Sequence, residues 1–229
     1  VLRREHRVIL LTTSPHLPQL VNWLRGLGIN YIIPSSLNDI SMIINDAIKY
    51  DDLIIIDEEL AIKINVGAKK EKPTVLVLRK EWSYEDIIMR IFRSIKDRIR
   101  EALVGVDPGS LWTVVMIADG ALLSYKKLRT VQELIEYICN TLVLLRPDKS
   151  IIRIGSSFSI LSSADDYKEI ILNLKRKCRG LSLLAEIVDE RASTSDQLIP
   201  AIRGVEKKLD NDVKAALRIA LRKGISILV

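Results

Sequence analysis

Two rhythms of apolar positions alternate along the first hundred residues. Val8–Leu11, Tyr31–Ile33, Leu53–Ile56 and Thr74–Leu78 are short aliphatic runs of the length of buried strands. Between them apolar residues recur every three or four positions, the period of one helix face. Leu17, Leu20, Val21 and Leu24 predict a helix from about Pro15 to Leu27, started by Thr12-Thr13-Ser14-Pro15 and ended by Gly28. Ile40, Ile43, Ile44 and Ile48 predict a second helix, capped from Ser35/Ser36. Ile87, Ile88, Ile91, Ile95 and Ile99 predict a long third helix capped by Ser83. Strands alternating with helices imply βαβ units on a parallel sheet. Residues 1–100 therefore read as a small three-layer α/β domain.

The rhythm changes after residue 100, with no Gly/Ser linker between the halves. Leu103–Asp107, Leu111–Ala118 and Ala121–Tyr125 are three successive strand-like runs, and Asp119-Gly120 is a hairpin signal. Helix-period segments Val131–Leu145, Asp165–Arg179 and Asp212–Lys223 then alternate with the runs Ile151–Ile154 and Leu183–Val188. The order β-β-β-α-β-α-β-α is that of an RNase H-like mixed-sheet domain, expected over residues 101–229.

Composition narrows the class. The chain has 229 residues, 48% of them hydrophobic, which supports a sizeable core and argues against disorder. A formal charge of +6 permits a nucleic-acid partner without requiring one, and no basic tail concentrates it. Two cysteines, Cys139 and Cys178, and two histidines lack zinc-ligand spacing, so two reduced, buried or half-buried thiols are expected. No apolar run reaches the length of a membrane span, and the charged start Val1–Arg7 has no secretory-leader pattern. The expectation is a cytoplasmic protein with no membrane partner.

Candidate chemistry begins at Asp107, a carboxylate delivered by an apolar run to a Pro-Gly turn. Such a group needs a cation or an amide nest. Asp189 and Glu190 follow the last strand, and alternation lets only one of them point toward Asp107. Asp212 shares a helix face with Ala215, Ala216 and Ile219. Together these acids suit Mg²⁺ or Mn²⁺, and two such ions about 3.5–4 Å apart support phosphodiester hydrolysis. Taken singly, each acid has a structural reading as well. Asp107 fits a turn residue bonding amides near Gly109, and Asp189-Glu190-Arg191 a solvated strand end. Asp212 fits a helix N-terminus capped by Asp210 or Asn211.

The blocks Gly105-Val106-Asp107-Pro108-Gly109, Arg153-Ile154-Gly155, Val188-Asp189-Glu190-Arg191-Ala192-Ser193-Thr194 and Asp212-Val213-Lys214-Ala215-Ala216 occur in that order. They resemble the signature blocks of the RuvC-like, YqgF-type family of Holliday-junction resolvases, over roughly residues 102–229. The resemblance implies metal ligands at Asp107, Glu190 and Asp212, with Mg²⁺ or Mn²⁺ as cofactor. It also implies nuclease activity on branched DNA or structured RNA. The chain departs from the family at Ser110-Leu111-Trp112-Thr113-Val114 and at Ser156-Ser157-Phe158-Ser159, both on the substrate-facing rim. These departures keep a second reading in view, a non-catalytic nucleic-acid or protein-binding module.

Lys214, Arg218 and Arg222 recur every fourth residue beside Asp212, and Arg191 adjoins Glu190; these are the candidate nucleic-acid contacts. Trp112 fits either a base-stacking platform or the core. In the first half, Asp57 and Lys80 follow strands as in flavodoxin-like receiver domains. The acidic pair that phosphotransfer needs is replaced by Thr12-Thr13-Ser14, so an interaction role, with a possible homodimer, is the expectation.

Overall fold

The computed structural model describes residues 7–35, 40–50, 52–64, 75–156, 164–189, 202–204 and 209–226. The chain divides into two compact units, Val1–Asp97 and Arg98–Val229.

The first unit holds β1 (Val8–Leu11), α1 (Leu17–Gly26), β2 (Tyr31–Ile32), α2 (Ile40–Tyr50), β3 (Leu53–Asp57), α3 (Glu58–Ile64), β4 (Val75–Leu78) and α4 (Tyr84–Ile95). Its strands form a wholly parallel sheet in the order β2-β1-β3-β4. A parallel sheet must be covered on both faces, which explains the uninterrupted aliphatic runs. Ile9, Leu11, Ile54 and Ile56 pack against Ile40, Ile44 and Ala47 of α2 and against α3. α1 and α4 form the remaining layer and touch where the Tyr84 hydroxyl donates to the Gln19 carbonyl. At the start of the sheet the buried Asp52 accepts from the Arg7 amide and guanidinium.

Three expectations for this unit need correction. α1 begins at Leu17 with His16 at its N-cap and no side-chain cap. Thr12 and Thr13 are used elsewhere, because their hydroxyls and the Thr13 amide donate to Asp57. α4 carries the Ser83–Asp86 capping box but stops at Ile95, and Lys96 is already extended. Ile99 is buried outside any helix. α3 was not expected; its first turn carries Glu58 and Glu59, which suit a helix N-terminus.

The second unit holds β5 (Glu101–Pro108), β6 (Trp112–Ala118), β7 (Ala121–Leu128), α5 (Val131–Leu145), β8 (Lys149–Gly155), α6 (Ala164–Lys177), β9 (Leu183–Val188), α7 (Asn211–Leu221) and β10 (Ile225–Ser226). The sheet order is β10-β9-β8-β5-β6-β7. β5, β8 and β9 are parallel, while β6 runs antiparallel between β5 and β7. This is an RNase H-like mixed sheet with one additional antiparallel edge strand, β10, that the sequence reading missed.

The β6–β7 hairpin turns at Asp119 and Gly120, with φ of 45° and 75°, the primed-turn geometry that Asp-Gly favours. Its register shifts by one residue between Met116 and Ile117. α7 crosses the sheet face that carries Val115, Ile117 and Leu122. It lies so close to β5 that a Cβ on Gly105 would stand 2.1 Å from the Ala216 carbonyl oxygen. Only glycine tolerates that approach.

α5 and α6 pack side by side, and Cys139 and Cys178 are joined there in a disulfide, their Cα atoms 5.3 Å apart. The expectation of two reduced thiols is thereby overturned. Both cysteines are buried, Cys139 on α5 and Cys178 in the turn directly after α6, and packing of the two helices brings the Cα atoms within bridging range. Trp112 is buried, so its side chain is core and not an exposed stacking platform. Among the described residues no helix is long and apolar enough to cross a membrane.

Candidate functional site

The pleat and register of the second sheet place the candidate groups. Gly105, Arg153 and Glu186 are level on β5, β8 and β9 and face α7. Asp107, two residues on from Gly105, has the same parity and so faces α7 as well. Across β6 and β7 it is level with Thr113 and then Lys127. The row Asp107–Thr113–Lys127 thus runs beneath the N-terminus of α7, where Asp210 is the N-cap and accepts from the Val213 amide.

Asp212 meets this row from above. Lys127 Nζ lies 2.6 Å from Asp212 Oδ2 and 3.4 Å from Asp210 Oδ2. Asp107 is half-buried; burial, then the nearby charge of Asp212, hold its carboxyl above its ordinary value. The hydrogen bond to Asp212, with lesser help from Asp210, raises Lys127 despite some desolvation. Asp210 is lowered, first by the Val213 amide. Thr113 is 1% exposed, and its hydroxyl oxygen has no hydrogen-bond partner among the described residues. A buried hydroxyl without a partner beside two interacting carboxylates is a costly arrangement in a metal-free protein.

These donors are all oxygens, the set that Mg²⁺ and Mn²⁺ prefer. In donor chemistry, Asp107, Asp212 and Thr113 therefore fit such an ion. Among the described residues no group of three or more His, Cys, Asp or Glu side chains is placed to hold a metal. Glu190 and Arg191 lie outside the described residues. Asp189 directly follows Val188, which is level with Gly155 on the α7 face, so alternation turns Asp189 to the other face.

Part of the basic ridge is already engaged within the fold. Lys214, Arg218 and Arg222 are each half-buried along α7. Arg222 Nη1 donates to the Asp189 carbonyl at 3.0 Å, tying α7 to the end of β9. Arg153, in the second of the signature blocks, is structural. It is buried, bonds Glu186 at 2.7 Å and donates to the Ala220 carbonyl at 2.5 Å near the end of α7. Glu186 is pushed up by burial, but bonds from Arg153 and the Gly224 amide outweigh this and leave it lowered.

Sequence reasoning missed Lys127 and Thr113. A basic residue in an apolar-alternating strand was the available signal, but Lys126 and Lys127 are adjacent and only the register separates them. In the first unit, Asp57 is held by Thr12 and Thr13, and Lys80 pairs with Glu59 at 2.7 Å.

No protein-family model matches the chain, and no curated protein matches it. Two solved structures of RuvC from Thermus thermophilus are similar to it, one of them in complex with a Holliday junction substrate. Each is 16% identical, with a TM-score of 0.38; the matches cover 53% and 52% of this chain and 91% of each RuvC chain.

Proposed function

We propose that the second unit is a metal-dependent nuclease acting on branched DNA or structured RNA. The observation that carries this reading is that Asp107 feels the charge of Asp212 beside a buried Thr113 hydroxyl with no partner among the described residues. Asp107 and Asp212 would hold Mg²⁺ or Mn²⁺, with Glu190, two positions beyond Val188, as the third carboxylate. The ion supplies an activated water and stabilises the leaving oxygen of a phosphodiester. The chain's own contribution is placement. β5 fixes Asp107, the Asp210 cap fixes the start of α7, and Gly105 lets α7 descend far enough for Asp212 to reach the row. Lys214, Arg218, Arg222 and Arg191 are the proposed phosphate contacts, and each one that binds adds close to one unit to the salt dependence. The proposed role of the first unit is interaction or dimerisation.

Cleavage of a four-way DNA junction and of a hairpin RNA, in Mn²⁺ and in Mg²⁺, tests the reading. Wild type is expected to cut at least one substrate and Asp107→Asn none. Equal cleavage by both proteins overturns the assignment.

One observation favours the second reading, a non-catalytic binding module. Lys127 already neutralises Asp212, so that carboxylate is satisfied without a metal. Salt-dependent binding with no turnover in either metal would establish that reading.

A further inference from the structure

We infer that Lys127 is the resident counter-ion of the acidic site, and that a divalent cation binds there by displacing its ammonium group from Asp212. This rests on the metal reading above and adds to it a built-in competitor.

Asp210 and Asp212 meet Lys127 at the start of α7, and Asp107 lies near enough to feel the charge of Asp212. Lys127 Nζ bonds Asp212 Oδ2 at 2.6 Å and lies 3.4 Å from Asp210 Oδ2, while Asp107 occupies the same cross-strand row two strands away. Lys127 emerges from β7, a strand that contributes no carboxylate to the site. Its position is therefore set independently of the acids it neutralises. Lys127 neutralises Asp212, while the half-buried Asp107 is raised by desolvation and by the charge of Asp212.

A divalent ion brings two charges where Lys127 brings one, but it must first end a charge-assisted hydrogen bond. The Lys127 side chain is about one-third exposed, at 34%, so the ammonium has solvent to move into once released. Asp210 stays committed to the Val213 amide as the helix cap, which leaves it a natural resting partner for the displaced ammonium. Metal binding then becomes an exchange of cations at Asp212, and the α7 N-terminus is held in place in both states.

The adjacent Lys126 supplies an internal control. The one-residue register shift turns it to the opposite face, where its Nζ lies 5.5 Å from the centre of the Tyr137 ring. It carries the same charge along the same strand without facing the acids.

The test is Mn²⁺ binding to the full chain by isothermal titration calorimetry at low ionic strength, with Lys127→Met, Lys127→Arg and Lys126→Met alongside wild type. Lys127→Met is expected to bind Mn²⁺ on the order of tenfold more tightly, the effect of removing one nearby competing charge. The gain should shrink at 0.5 M salt, where exposed charges are screened. Lys127→Arg and Lys126→Met are expected to match wild type. Should Lys127→Met not fold, neutral Lys127→Gln replaces it with the same expected gain. Equal affinity in wild type and the neutral variants overturns the role of Lys127 while leaving the metal site intact. No Mn²⁺ binding in any of the proteins overturns both.

Discussion

Asp107 and Glu186 are both carboxylates facing α7, and their surroundings push them in opposite directions. Burial and the charge of Asp212 raise Asp107, so its ionised form favours the unfolded chain. The stability this group contributes is full below its ordinary carboxylate value and is lost as pH rises through the raised folded value. In metal-free buffer at pH 7, Asp107→Asn should therefore raise the melting temperature by about 2–4 °C, a gain that vanishes below pH 3. A lower melting temperature than wild type at pH 7 would contradict this. Glu186 behaves in the opposite sense. Its lowered value means that its contribution is present above the ordinary carboxylate range and is lost on acidification. Glu186→Gln leaves the buried Arg153 without a counter-charge, a change expected to cost about 3–5 kcal/mol in urea denaturation.

At the scale of elements, α7 is the part on which the site depends. Its Ala216 and Ala220 rest directly on Gly105, so Gly105→Ala must push the helix and Asp212 away from the sheet. The expected destabilisation is about 3 kcal/mol or more, read by thermal or chemical denaturation. A variant with unchanged stability would show that α7 does not sit so close. α5 and α6 are held differently, by a disulfide whose cysteines are 39 positions apart and each 2% exposed. Closing a loop of that size stabilises by about 4 kcal/mol in the chain-entropy model. Replacing both cysteines by Ala should lower stability by that order. In the native protein the buried pair should resist mild reductant, and ready reduction without unfolding would count against this packing.

At the scale of the whole molecule, the two units carry different chemistry. Every candidate acid and base of the proposed nuclease lies in the second. The first presents exposed Ile32, Ile33 and Met42, with relative exposures of 39%, 48% and 61%, beside a groove of about 340 Å³ that Ile32, Pro34 and Met42 help line. These support its proposed interaction role. Light scattering on the full chain is expected to give a dimer that Met42→Glu converts to monomers; a monomeric wild type removes the proposal.

Local patterning along the chain was enough to set the class of each unit. Short continuous aliphatic runs such as Val8–Leu11, bounded by turn signals, read as strands buried on both faces, and Asp119-Gly120 selects a tight hairpin. It also singled out Asp107, a carboxylate at the end of an apolar run, and Asp212, which shares a helix face with Ala215, Ala216 and Ile219. Local pattern could not reach the groups that complete the surroundings. Thr113 and Lys127 become neighbours of Asp107 only through strand pairing, and which of two adjacent lysines faces the acids depends on one register shift. Had the pairing at the turn continued unbroken, Thr113 would stand opposite Lys126, and the site would lack its counter-ion. Pairing of Cys139 with Cys178 was likewise decided by two helices packing together, a contact that no spacing in the chain encodes. Periodicity is a property of neighbouring residues and is therefore written locally, whereas charge balance at a site is set by chain segments that meet only after folding.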